Sequence, residues 1–228
     1  NLTIDPGVGL YLDGVYISRS VGALLDTVDM ERIEVLRGPQ GTLFGKNTIG
    51  GAVVLNSQQP ADTFEARFEA ATGSDDRIDL KAMLNAPLSG SFAVRLSASS
   101  QNQDGYVRRI TDGGKMGNKD SLSGRLLAAW TINDDFTATF SLDGTRSREE
   151  AKPATLLAVN PLADFVGFWN FALNGATCFT PPQGLPVPNL PQCFNSQWIT
   201  GNPYTTRISS PNYSNLDLWG TGLTLSWT

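Results

Sequence analysis

The chain has 228 residues, with 17 Lys plus Arg against 22 Asp plus Glu, two cysteines and no histidine. A net charge of −5 argues against a nucleic-acid binder, and the missing histidine excludes Ser-His-Asp and Cys-His catalysis and His-ligated zinc within the chain. Two cysteines cannot build a four-thiolate metal site, while 23 glycines, 13 prolines and a charged share of 17%, against about 25% on average, suit strands and turns better than helix bundles.

The chain opens at Asn1 without a methionine, a basic stretch or an apolar leader, and it closes inside an alternating run at Ser226-Trp227-Thr228. It therefore reads as an internal piece of a longer protein, with no signal peptide in view. No run of about 18 apolar residues is present to form a membrane helix. Residues 8–18, VGLYLDGVYIS, predict two strands around an Asp13-Gly14 turn. Residues 23–26 predict a helical turn, 32–38 a strand, 38–45 a loop and 50–56 another strand.

After residue 62 the pattern becomes regular. In FEARFEAAT (64–72), Phe64, Ala66, Phe68 and Ala70 share one face and Glu65, Arg67 and Glu69 the other. The same period of two runs through 77–85, 92–100, 122–132, 136–144 and 218–227, which predicts six strands. Residues 87–91 and 133–135 are tight turns, whereas 102–120 and 148–215 are long connections, with one short connection near 74–76. Short turns at one end and long loops at the other describe an outer-membrane β-barrel. About ten residues per strand, at ~3.3 Å each and tilted near 45°, rise roughly 23 Å, enough for an apolar band ~25 Å tall. An antiparallel sandwich shows the same alternation. The many alanines on the apolar faces and the charges deep in the polar faces favour a barrel with a wet lumen. Six strands fall short of the smallest membrane barrel, at about eight.

Familiar catalytic and nucleotide motifs fail on inspection. GTLFGKN (41–47) has three residues between its glycines where a P-loop needs four, and Asn47 where Ser or Thr must hold magnesium. The acidic grouping Asp75, Asp76 and Asp79 is explained first by turn chemistry and strand-face charge, with a calcium site as the alternative. No metal, cofactor or catalytic residue is predicted, and the chain does not read as an enzyme.

The block DMERIEVLRGPQGTLFGKNTIGGAVV (29–54) carries the strongest signal, with glycines at 38, 41, 45, 50 and 51 beside Arg37 and Lys46. Together with Tyr11-Leu12-Asp13-Gly14, it resembles the plug domain of TonB-dependent outer-membrane receptors. The matching residues are Glu31-Arg32-Ile33-Glu34-Val35, Arg37-Gly38-Pro39-Gln40-Gly41, Leu43-Phe44-Gly45 and Gly50-Gly51-Ala52-Val53. Val54 departs from the common Asn, and Gln58-Gln59 from a frequent Lys.

The resemblance implies an all-β fold with minor helix. Residues 1–60 would be the C-terminal part of a plug, and 61–228 the first six or so antiparallel strands of a 22-stranded transmembrane barrel, with a long extracellular loop at 148–215. It implies the outer membrane of a Gram-negative bacterium, contact with membrane lipid, and active import of a bulky nutrient complex. The expected cargo is a ferric siderophore, with cobalamin or a saccharide as alternatives. The expected energy source is the inner-membrane TonB complex, whose contact segment would precede Asn1. A sensing or adhesion receptor without import, and a soluble β-sandwich binding module, are the rival readings. Arg32, Glu34 and Arg37 correspond to charged plug residues that face the barrel wall, with solvated strand-face charge as the alternative reading.

The long loop holds Cys178 and Cys193. A disulfide between them is expected outside the cytosol, and closing about 15 residues contributes about 3 kcal/mol in the chain-entropy model. Asn160-Pro161 reads as a helix start and Asn174-Gly175 as a stop. Between them Leu162, Phe165, Val166 and Trp169 share helical spacing, with Phe168 and Phe171 on other faces. Two readings stand: a helix packed on neighbouring loops, or an aromatic wall of a substrate vestibule formed by Phe165, Phe168 and Trp169.

The alternation also predicts registers, because cross-strand partners must share a face. A three-residue loop at 74–76 sets Glu69 opposite Lys81 and Phe68 opposite Ala82. A three-residue loop at 133–135 sets Arg125 opposite Asp143 and Trp130 opposite Ala138.

Overall fold

The computed structural model describes residues 7–17, 29–45, 47–150, 153–160, 163–174, 178–180, 185–186, 193–208 and 213–227. The predicted turn at 23–26, and Lys46, lie outside them.

The first strands are β1 (Val8–Leu12) and β2 (Val15–Tyr16), joined by the Asp13-Gly14 turn, where both residues take positive φ, 47° and 82°. Then come β3 (Met30–Arg37), a single turn α1 (Gly41–Phe44) inside the predicted loop, and β4 (Gly51–Ser57). They form one sheet in the order β2-β1-β4-β3, with β1 and β4 parallel and β3 antiparallel to β4. Its small core is Tyr11, Leu12, Ala52 and Leu55. The Tyr11 hydroxyl donates to the Phe44 carbonyl at 2.5 Å, and its ring lies 4.8 Å from that of Phe44, which anchors α1.

The chain then runs through β5 (Glu65–Gly73), β6 (Arg77–Ser89) and β7 (Phe92–Gln103), makes an excursion holding β8 (Val107–Arg109) and β9 (Lys115–Met116), and returns as β10 (Lys119–Asn133) and β11 (Phe136–Glu150). A longer excursion holds α2 (Asp164–Asn174), β12 (Phe179–Thr180), β13 (Leu185–Pro186) and β14 (Thr205–Thr206), and β15 (Tyr213–Trp227) closes the series. The six long strands form one sheet, β15-β11-β10-β7-β6-β5. Three of them have 15 residues, longer than the alternating runs suggested. At ~3.3 Å per residue that exceeds an apolar band ~25 Å tall even when tilted. The surplus is polar, as in Ser147-Arg148-Glu149-Glu150, and it continues the ladder beyond the apolar stretch.

Both predicted registers are observed. Glu69 stands opposite Lys81 and Phe68 opposite Ala82. Arg125 stands opposite Asp143 and Trp130 opposite Ala138. The second hairpin closes differently from expectation. A register shift between Thr131 and Asn133 pairs Asn133 with Phe136, leaving a two-residue turn at Asp134-Asp135. The Asn133 side chain accepts the Asp135 amide at 3.1 Å, which stabilises the tighter turn.

The sheet is amphipathic in the inverse sense of a soluble protein. Along β7, Arg95, Ser97 and Ser99 are buried, while Leu96 between them is 48% exposed. Asn85, Ser121, Ser123 and Thr145 are buried, and Leu84, Leu122, Phe140, Leu142, Trp219 and Leu223 are exposed. Polar residues inside and apolar residues outside suit a wall whose outer solvent is lipid.

Packing divides the chain into two compact units. One combines residues 1–103, 120–148 and 215–228; the other combines 104–119 and 149–214. The change near residue 60 is thus one of architecture, from plug sheet to wall strands, and not a break in packing. In the second unit, β8 pairs with β9 and, in parallel, with β14. Val107, Met116, Val166 and the two cysteines are buried there.

Candidate functional site

In the first unit, side chains tie the plug sheet to the wall. The Asp13 carboxylate, presented by the turn between β1 and β2, accepts the Ser57 amide at 2.8 Å and the Ser57 hydroxyl at 2.9 Å. It also accepts from the Arg125 guanidinium of β10. Asp29, at φ 64°, accepts Nε and Nη2 of Arg95 at 2.6 and 2.8 Å. Arg95 is 4% exposed, and its third nitrogen lies 3.4 Å from Glu65. Asn85 is fully buried. It donates to the carbonyls of Ala61 and Thr63 at 2.9 and 2.6 Å and accepts the Ala61 amide at 3.0 Å, pinning the strap between β4 and β5. The plug supplies the acids and the wall supplies the arginines. Beside Asp29 lies a cavity of about 270 Å³, lined also by Ile33, Arg67, Glu69 and Lys81.

The charges of β3 lie apart from these tethers. Arg32 donates to Glu34 on its own strand at 2.5 Å, and Glu34 also receives Asn56 at 3.5 Å. Arg37 is exposed. Among the described residues, no hydrogen bond or ion pair joins Arg32, Glu34 or Arg37 to the six wall strands. Alternation along β3 puts Arg32 and Glu34, two residues apart, on one face, where they satisfy each other, and Arg37 on the opposite face. Arg125 likewise stands opposite Asp143 in register, yet its guanidinium reaches Asp13. The aspartate run at 75–79 is turn chemistry: Asp75 and Asp76 take positive φ, and Asp79 accepts Arg77 at 2.5 and 2.9 Å.

In the second unit, Cys178 and Cys193 are bonded. The helix α2 presents its aromatic residues outward: Phe165, Phe168 and Trp169 are 72%, 68% and 47% exposed. Phe165 and Trp169 stack with centroids 6.1 Å apart. The buried face consists of Val166 and Asn170, one turn apart, and not of the stripe through Phe165 and Trp169. Asn170 explains the rotation. Its amide donates to the Phe194 carbonyl at 3.1 Å and accepts the Phe194 amide at 2.7 Å, clamping the backbone next to the disulfide.

Beyond Cys193, Asn195 caps the 3-10 turn Ser196–Trp198 by accepting the Gln197 amide at 3.0 Å. The Cys193 carbonyl accepts Trp198 Nε1 at 2.9 Å and Gln197 Nε2 at 3.1 Å. Phe194 and Trp198 lie 6.0 Å apart and line a cavity of about 490 Å³ with Leu156, Thr206, Arg207 and Ile208. The predicted vestibule residues do not line this cavity. The motif CFNSQW, two aromatics four residues apart beside a cysteine, was the available sequence signal for it.

Residues 4–52 match the family model described as the TonB-dependent Receptor Plug Domain. Over that stretch, about a fifth of the chain, it is similar to the plug of the TonB-dependent receptors. It is 28% identical over 207 residues to the pesticin receptor of Yersinia pestis, a match spanning 89% of this chain and 28% of that relative. It is 29% identical over 139 residues to the metal-pseudopaline receptor of Pseudomonas aeruginosa, covering 60% of this chain and 19% of the relative. Among solved structures, the ferric yersiniabactin uptake receptor from Yersinia pestis superposes with a TM-score of 0.61 at 28% identity, over 64% of this chain and 23% of that one. The ferripyoverdine receptor of Pseudomonas aeruginosa superposes with a TM-score of 0.55 at 21% identity, over 67% and 21%, which shows the shared fold. The chain therefore carries plug and wall strands like those of Gram-negative outer-membrane receptors, it spans about a quarter of the length of these relatives, and the relatives are receptors and not enzymes.

Proposed function

We propose that the chain is the plug and wall portion of a receptor that actively imports a bulky nutrient complex across the outer membrane, with a ferric siderophore as cargo and the inner-membrane TonB complex as energy source. The carrying observation is the inverted sheet with a plug tied to its polar face. A lipid-facing wall, a wet inner face and a plug held by ion pairs are the parts that gated passage requires. Uptake of ferric yersiniabactin by one relative, and the metal-pseudopaline and pesticin receptors among the others, support the cargo class.

On this reading, the 149–214 module belongs to the extracellular side, where cargo arrives. The Asp13–Arg125 and Asp29–Arg95 pairs hold the plug in its resting position. Arg32 and Glu34 on one face of β3, and Arg37 on the other, are left to meet other wall strands of a 22-stranded barrel.

The test is radioiron uptake by cells that carry the full-length receptor as their sole siderophore receptor, with and without TonB, across catecholate, hydroxamate and mixed siderophores. TonB-dependent accumulation from at least one of them is expected. Tight binding of a siderophore without any accumulation would establish the sensing reading instead.

A further inference from the structure

Two wall arginines hold the plug, and each has a second carboxylate within the wall. The Arg125 side chain is 11% exposed and gives only Nη2 to Asp13. Its Nε and Nη1 are buried and meet no hydrogen-bond partner among the described residues. Asp143 stands directly opposite Arg125 in the β10–β11 ladder, where facing Cβ atoms lie about 4.5–5.5 Å apart. Its carboxylate is half-buried, feels Arg125 as an attraction and Asp13 as a repulsion, and makes no hydrogen bond or ion pair among the described residues. On its other side β15 carries Gly220, where a Cβ would come within 3.1 Å of Asp143 Oδ2. Glycine therefore leaves that carboxylate room to turn.

The same arrangement recurs at Arg95. Two of its nitrogens hold Asp29 of the plug, and the third lies 3.4 Å from Glu65 of β5. Asp13, for its part, keeps donors when Arg125 leaves it. The Ser57 amide and hydroxyl donate to it from within the plug, at 2.8 and 2.9 Å. Losing one partner of a buried pair is unfavourable chiefly because a charge is left without compensation. Both halves of the Asp13–Arg125 pair have compensation at hand, so separating them strands neither.

We propose that Asp143 is a positioning residue for plug movement: it receives the Arg125 guanidinium when Asp13 withdraws, so that the wall closes its own ion pair behind the departing plug. Glu65 plays the same part for Arg95. The inference rests on the import reading in taking the plug to move, and it names the wall carboxylates that ease the movement. A carboxylate that merely stabilised the wall or the resting plug would act in the opposite sense, because its removal would loosen what it holds.

The experiment is hydrogen exchange of the full-length receptor in micelles, with neither cargo nor TonB present. It is read at the amides of β1, β2 and β4, with β10 and β11 as the reference. Asp143→Asn leaves Arg125 only Asp13 as a charged partner. Opening of the plug is then expected to become about fivefold rarer, the upper end of what directly opposed unlike charges contribute. Glu65→Gln is expected to slow exchange in β3 in the same way. In an Arg125→Met background there is no guanidinium to transfer, and Asp143→Asn should change plug exchange by less than about twofold. Unchanged or faster plug exchange in Asp143→Asn overturns the proposal. So does a slowing of about twofold or more that persists in the Arg125→Met background, which direct repulsion between Asp13 and Asp143 would produce. If Asp143→Asn also loosens β10 and β11, Glu65→Gln decides by the same criterion at its half-exposed position, with Arg95→Met as its background. These results do not depend on uptake. A receptor that shows the transfer and no TonB-dependent uptake refutes import and leaves the change of partners standing. Uptake without the transfer does the reverse.

Discussion

Replacing Arg95 with Met should loosen the plug without unfolding the wall. The guanidinium is almost fully buried and grips Asp29 through two nitrogens, at 2.6 and 2.8 Å. Its loss strands a carboxylate that is only 14% exposed. Removing one partner of such a pair costs about 3–5 kcal/mol, because the remaining charge is desolvated without compensation. Glu65, half exposed at 3.4 Å, adds less than about 1 kcal/mol. Taking about 3 kcal/mol, and 1.4 kcal/mol per tenfold, local opening of β3 and β4 should become about a hundredfold more frequent. Hydrogen exchange of the full-length receptor in micelles reads this directly, with amides of β10 and β11 as the unaffected reference. Asp29→Asn keeps a residue that tolerates positive φ and removes the charge. In that background Arg95→Met should cost much less, giving a coupling of about 2 kcal/mol. A coupling below about 0.5 kcal/mol, or faster exchange throughout the wall, would refute the assignment of this pair as a plug tether.

Four further outcomes follow from the packing. Gly51→Ala would place a Cβ 2.3 Å from the Leu36 carbonyl oxygen at a φ of 145°, so it should disrupt the β3–β4 ladder by about 1–3 kcal/mol; wild-type exchange protection in β3 would contradict this. Leu96→Arg puts a charge on the outer face and should cost about 2–4 kcal/mol if it lies near mid-bilayer; an unchanged denaturant midpoint for the receptor folded in lipid would count against that face being lipid-exposed. Asn170→Ala should cost about 1–3 kcal/mol by orphaning the Phe194 backbone groups and hasten proteolysis within 193–208, as should reducing the disulfide. Two free thiols on non-reducing mass analysis of the exported protein would reject the Cys178–Cys193 bond.

The local alternation of residues by itself determined the wall. Period two is written into each strand, and a lipid face that excludes charge leaves few registers, so Glu69 opposite Lys81 and Arg125 opposite Asp143 were legible before any coordinates. The plug was legible because its glycines and charges recur in a dense motif. What the tertiary structure alone decided is which partner each polar group takes. Arg95 meets Asp29 across 66 residues of chain and Arg125 meets Asp13 across 112, and no local pattern encodes a contact at that separation. The helix shows the same limit. Its spacing put Leu162, Phe165, Val166 and Trp169 on one stripe and left open whether that stripe packs or lines a vestibule, but the Phe194 backbone needed a donor and an acceptor. Asn170 supplies both, so Asn170 and Val166 face the core and the aromatics face out. A side chain's face on a strand follows from sequence parity, whereas the burial of a polar group follows from whatever distant group can satisfy its hydrogen bonds.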